Sequence, residues 1–109
     1  MGYVYLLSTV TPDGLNEKYK IGVTKNNILK RIKILQTGNS EIINLINYYE
    51  TENYFKVEKS MHRLYSSQKS LSNNEWFDLE NEHVLSFLSE CKKIDEMISF
   101  MLENNPFYK

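Results

Sequence analysis

Tyr3-Val4-Tyr5-Leu6-Leu7 and Tyr19-Lys20-Ile21-Gly22-Val23-Thr24, with Arg31 following on a helix, form the stretch from which the fold is read. Both runs are rich in aromatic and β-branched residues, the composition of half-buried strands. Between them, Thr11-Pro12-Asp13-Gly14 is a turn signal. Its proline suits the second position of a type I or II turn, and its glycine is free to take a positive φ. The two runs therefore read as an antiparallel hairpin with a long loop. That arrangement lets a tyrosine, a lysine and an arginine converge from two neighbouring strands and a helix on one phosphate.

Working outward, Asn26-Asn27 is placed to cap a helix whose apolar positions Ile28, Leu29, Ile32 and Leu35 recur at helical spacing. Gly38 follows them, where a helix commonly ends in a left-handed residue. Residues 42–49 read as a third strand. Thr51 or Asn53 would cap a second helix with the stripe Tyr54, Val57, Met61 and Leu64, and the polar stretch from Ser66 to Asn74 reads as a loop. Glu75-Trp76-Phe77-Asp78-Leu79 is expected as a short last strand. Asn81 would then cap a long helix, about 81–103, with Val84, Leu88, Cys91, Met97 or Ile98, and Met101 on one face. Asn104-Asn105-Pro106 stops it. The expected order is β-β-α-β-α-β-α, an α+β fold with a small three- to four-stranded mixed or antiparallel sheet flanked by helices.

With 109 residues, one domain spanning 1–109 is expected. No apolar run approaches the roughly 20 residues that span a bilayer. The N-terminus lacks the pattern of a secretory leader. The lone Cys91 has no disulfide or zinc partner in the chain, which fits a reducing, cytoplasmic setting in a bacterial cell or a virus-infected host. The net charge of −1 excludes coating of nucleic acid by bulk electrostatics, but the charge is unevenly spread. Residues 1–74 carry ten Lys/Arg against six Asp/Glu, and residues 75–109 carry three against eight. Lys18, Lys20, Lys25, Lys30, Arg31 and Lys33 fall in one short stretch, a local patch able to hold a phosphate backbone.

Among residues with chemistry, Glu58 and His62 lie one helical turn apart on one face, flanking the apolar stripe. A carboxylate beside an imidazole can bind a divalent metal or move a proton, although an exposed i,i+4 pair has the same spacing. His83 has no such companion and reads as a surface or partly buried histidine. No phosphate loop, Ser-His-Asp pattern or thiol–histidine pair points to another hydrolytic class.

The order of these features resembles the GIY-YIG nuclease family over residues 2–79. Tyr3-Val4-Tyr5 is similar to the first motif, with Tyr5 in its functional position. Lys20-Ile21-Gly22 corresponds to the second motif. Lysine stands there where the family more often has tyrosine, and the Ile-Gly register selects Lys20 over Tyr19. A phage- and bacteria-associated branch commonly has this lysine. It also has a Thr-Gly-Asn-like segment, here Thr37-Gly38-Asn39, and a Glu-Trp-Phe signature, here Glu75-Trp76-Phe77. The family's arginine falls on Arg31 and its metal-binding glutamate on Glu58.

The resemblance implies a metal-dependent endonuclease that hydrolyses DNA phosphodiester bonds with Mg²⁺ or Mn²⁺. Tyr5, Lys20, Arg31, Glu58 and His62 would be its catalytic group and Glu58 its metal ligand. A tyrosine with an ordinary pKa near 10 needs help to act as a base. Lys20 would either favour the Tyr5 phenolate or hold a phosphate oxygen. His62 would relay a proton or orient Glu58. Lys25, Lys30 and Lys33 would contact the DNA. Weak specificity, a homodimer or a separate targeting partner are the options left open, and no membrane is expected to be involved. A non-catalytic DNA-binding module on the same fold is the main rival, and a protein-interaction domain using the acidic last helix is a third possibility.

Overall fold

A computed structural model of the chain describes residues 1–10, 14, 17–38, 41–69 and 76–104. Strands β1 (Gly2–Val10) and β2 (Glu17–Thr24) pair antiparallel, with Tyr5 opposite Gly22 and Leu7 opposite Lys20. Helix α1 (Ile28–Thr37) leads to β3 (Ile43–Thr51), which pairs antiparallel with the other side of β1. The sheet order is β2-β1-β3, so β2 and β3 run parallel to each other with β1 between them. Helix α2 (Tyr54–Leu64) is followed by a short 3₁₀ turn at Ser66–Gln68. Helices α3 (Asn81–Leu85) and α4 (Phe87–Asn104) complete the described chain.

Strand alternation divides β1 between two cores. Val4 and Leu6 face Ile21, Val57, Met61, Phe87 and Cys91, the layer made by α2 and α4. Tyr5 and Leu7 face Ile43, with Ile32 and Leu35 of α1 packed against them. Polar ties reinforce the first layer: the Tyr49 hydroxyl donates to Asp95 Oδ2 at 2.8 Å, and Asn53 Nδ2 donates to Asp95 Oδ1 at 2.8 Å. Burial pushes the Cys91 thiol up to about 12, with Asp95 and Glu90 adding to the effect, so this cysteine is an inert core residue.

The sheet's outer edges are partly occupied. Tyr19 and Phe77 exchange backbone hydrogen bonds along the free side of β2, at 3.0 and 2.7 Å. On β3, two amides that β1 does not use go to side chains. Ile43 N–H donates to Gln36 Oε1 at 2.8 Å, and Tyr48 N–H to Asn47 Oδ1 at 2.9 Å.

Several expectations are corrected. Residues 76–79 form no strand; among them only Phe77 bridges, to Tyr19 and Lys69, so among the described residues the sheet has three strands. The last helix breaks at Ser86 into α3 and α4, and residue 80, not Asn81, is its cap. His83 has a companion after all: its Nδ1 accepts the Glu80 N–H at 3.0 Å, closing the cap. Phe87 rather than Leu88 enters the core; Val84, Cys91 and Ile98 face it as expected, Ile98 being the one of the Met97/Ile98 pair that does, while Ile94 joins them and Met97 and Met101 are exposed. At the end of α2, the capping residue Tyr65 is buried where Leu64 was expected. In α1, Leu29 is 66% exposed, and the inward stripe is Ile28, Arg31, Ile32 and Leu35. Gly38 ends α1 as expected, but with φ −91° rather than left-handed geometry. Asn27 is the cap of α1, its Oδ1 accepting from the Leu29 and Lys30 amides. Gly14 takes φ +74°, whereas Thr11–Asp13, Asn39, residues 70–75 and Asn105-Pro106 lie outside the described residues.

Candidate functional site

Register decides which side chains meet. Tyr5, Lys20 and Gly22 leave the sheet on the same side, the side that α1 covers. Tyr19 points the other way, into the α2–α4 core, where its hydroxyl donates to Glu17 at 2.7 Å. Burial, then Glu17, pushes the Tyr19 phenol up to about 12. The two candidates at the second motif are thus separated by the pleat: Lys20 shares a face with Tyr5, and Tyr19 does not.

Gly22 explains how Tyr5 reaches across. The Tyr5 side chain is 2% exposed and lies over its cross-strand partner. A Cβ at Gly22 would stand 2.5 Å from the Tyr5 hydroxyl oxygen and 2.6 Å from Cζ. The hydroxyl therefore sits above β2, on the strand that carries Lys20.

Arg31 occupies an inward position of α1 among Ile28, Ile32 and Leu35. Its Nε is buried and has no hydrogen-bond partner. A buried guanidinium N–H left unpaired costs the fold free energy, and an anion such as a phosphate oxygen would satisfy it. Lys33 is two residues on, roughly 200° around the helix from Arg31. It and Lys30 lie exposed on the outer side of α1. Lys25 sits just past β2 with its ammonium 6.0 Å from the Tyr54 ring centroid.

Glu58 and His62 come from the opposite layer and reach the free edge of β2. His62 Nε2 lies 2.8 Å from the Ile21 carbonyl oxygen; since that oxygen only accepts, Nε2 carries the proton. The ring also meets Phe77 edge-on at 5.3 Å. Tyr54 lies near Lys25 and Gly2, and His62 near Ile21, so α2 runs antiparallel to β2. One turn back from His62 is about 6 Å along the helix, matching about two residues of strand. That spacing sets Glu58 toward the Val23 end of β2 on the α2 side of the sheet, whereas Tyr5 crosses Gly22 on the α1 side. Glu58 is half-buried, and loss of solvent raises its carboxyl pKa above the ordinary value, while His62 and Lys59 oppose that shift.

Tyr5 and Lys20 thus share one face of the sheet, α1 covers that face with Arg31 on its inward side, and Glu58 and His62 come from the other layer at the free edge of β2. Among the described residues no group of three or more His, Cys, Asp or Glu side chains gathers as a metal cluster. A lone half-buried carboxylate fits a Mg²⁺ ion that keeps most of its waters and takes a substrate phosphate oxygen. A residue's role missed in the sequence is that of Trp76, whose ring lies 5.8 Å from the Lys20 ammonium. Phe77 fills the core and bridges β2 while its neighbour Trp76 flanks Lys20, an alternation that only the edge pairing reveals.

The T5orf172 domain family matches residues 2–94, and the chain belongs to that family, a domain found in phage and bacterial nuclease-like proteins. No curated protein and no solved structure matches. Among the described residues no helix is long and apolar enough to cross a membrane.

Proposed function

We propose that the chain is a metal-dependent DNA endonuclease working through a GIY-YIG-type site. The observation that carries this reading is Arg31: a guanidinium with a buried, unpaired Nε, on the sheet face that also presents Tyr5 and Lys20. Structural duty alone gives no reason for an arginine there, because an apolar side chain would complete the Ile28–Ile32–Leu35 stripe. Membership of a family found in nuclease-like proteins supports it.

In this reading Arg31 binds the scissile phosphate and stabilises the charge that grows on its oxygens. Tyr5 takes the proton from the attacking water, with its hydroxyl held over β2 by Gly22. Lys20, on the same face, either favours the Tyr5 phenolate or holds a phosphate oxygen. Glu58 would hold Mg²⁺ or Mn²⁺, which when bound supplies Lewis-acid stabilisation of the phosphate and the departing 3′ oxygen. His62 spends its Nε2 proton on Ile21 and so fixes the part of α2 that carries Glu58.

Supercoiled plasmid incubated with the protein, with Mg²⁺ or with chelator, tests the proposal, with Arg31→Ala and Glu58→Ala alongside. Metal-dependent nicking or linearisation, lost in both variants, is expected. Intact DNA across several divalent metals and substrates, with salt-dependent DNA binding retained, would select the non-catalytic DNA-binding reading instead.

A further inference from the structure

The face that carries Tyr5 also carries two tyrosines with no place in the chemistry above. Tyr48 lies directly across β1 from Tyr5, and Tyr3 is two residues along β1, so all three rings leave the sheet on the same side. Tyr5 is enclosed, whereas Tyr48 is 49% exposed. Tyr3 meets Tyr48 edge-to-face, with ring centroids 5.9 Å apart and planes at 73°. Ile32 and Leu35 of α1 pack against the cluster of Tyr5, Leu7 and Ile43, to which neither Tyr3 nor Tyr48 belongs. Opposite Tyr3 on β3 stands Glu50, whose carboxylate holds the phenol's pKa above its ordinary value.

Neighbouring strands lie about 4.8 Å apart, so the Tyr48 ring on β3 rises about 10 Å from the β2 position over which the Tyr5 hydroxyl ends, on the same face as the position assigned to the reacting phosphate. Glu50 repels phosphate at this end of the face, which leaves it suited to a base rather than to backbone. A duplex hides its base faces in the stack, so only an unpaired base can use such a ring. Trp76, on the far side of Lys20, is less available because its ring already faces the ammonium.

We infer that Tyr48, braced by Tyr3, is a stacking platform for an unpaired base adjacent to the phosphate bound at Arg31. Single-stranded or frayed DNA is then the preferred substrate. This rests on the phosphodiester reading of the site.

The test is binding in chelator, where nothing is cut, using a short single-stranded oligodeoxynucleotide carrying 2-aminopurine at alternate positions and the same sequence as a blunt duplex. Wild type is expected to bind the single strand about tenfold more tightly than the duplex and to change the fluorescence of the stacked 2-aminopurine. Tyr48→Ala should weaken single-strand binding about tenfold (~1.4 kcal/mol), leave duplex binding unchanged and abolish the fluorescence change, and Tyr48→Phe should restore both. Equal single-strand binding by wild type and Tyr48→Ala, or duplex binding as tight as single-strand binding, overturns the inference and leaves the DNA reading standing. Failure of wild type to bind either form removes the DNA reading and this inference with it.

Discussion

Replacing Gly22 by alanine probes the link between fold and site most directly. Gly22 does not have a positive φ, so an alanine meets no backbone strain and its effect is purely one of contact. The new Cβ would lie 2.5 Å from the Tyr5 hydroxyl oxygen, 2.6 Å from Cζ and 2.8 Å from Cε1. Ordinary contacts between such atoms are about 3.5–4 Å, so the ring must move by roughly 1 Å. Overpacking of this kind costs about 1–3 kcal/mol, which lowers Tm by roughly 10 °C for a domain of this size. Displacement of a reacting group by about 1 Å can also cost on the order of 100-fold in rate. A double-mutant cycle with Tyr5→Leu, followed by thermal and urea unfolding, separates the ring from the strand. In the leucine background Gly22→Ala should be neutral, or stabilise by up to about 1 kcal/mol, because alanine lowers the entropy of the unfolded chain. An equal loss of stability in both backgrounds would refute the reasoning, since the ring would not be what requires the glycine.

Arg31→Met should raise unfolding stability by about 1 kcal/mol by removing the unpaired buried Nε, while DNA binding falls; a variant destabilised in urea melts would argue that Arg31 serves the fold. For Glu58, burial raises the folded pKa, so in the window just above the ordinary carboxylate value the folded state holds more protons than the unfolded one and stability falls as pH rises. Glu58→Gln should therefore be more stable than wild type at neutral pH, with the gap closing as pH drops below the ordinary carboxylate range, read from Tm against pH. His62→Ala leaves the Ile21 carbonyl without its donor and should cost about 1 kcal/mol, and chemical denaturation with His62→Gln alongside shows how much a substitute donor restores. Trp76→Ala should lower DNA affinity by less than Lys20→Ala does, measured by titration at fixed salt, if the ring only orients the ammonium.

The strands and the first two helices were legible from their apolar patterns: β1, buried on both faces, reads as an unbroken aromatic and aliphatic run, whereas β3 and the helices carry a period that one buried face enforces. In β2 the pleat alone separates Lys20 from Tyr19. The reading faltered where polar residues do apolar work. Arg31 holds an inward position that hydrophobicity assigns to Leu29, and its aliphatic stem makes that substitution possible. The strand expected around Trp76 failed for a related reason: aromatic, apolar composition marks burial, whereas a strand also needs an edge to pair along. Here α2 and His62 take part of that edge, and one residue pairs with it. The long last helix looked continuous because Val84, Leu88 and Cys91 keep the period. With the break at Ser86 the inward position falls on Phe87, which keeps helical spacing with Cys91, Ile94 and Ile98 just as Leu88 does with Cys91, so spacing alone did not choose between them. His83 carried no visible signal, since a histidine accepting a cap amide looks like any polar residue in a first turn.

The Phe77 bridge on β2, and the Gln36 and Asn47 side chains on β3, bear on how copies of this chain meet. A three-stranded sheet is a template: each bare rim invites another chain to extend it, as in strand exchange or fibril growth. Here one rim is already claimed by the chain's own downstream segment, and on the other two donors are spoken for by neighbouring amides of side chains. Added strands would find mismatched partners on both sides, so the sheet resists growth in either direction. Copies of the chain that meet edge to edge would therefore gain few backbone hydrogen bonds, and the sheet stays three strands wide among the described residues.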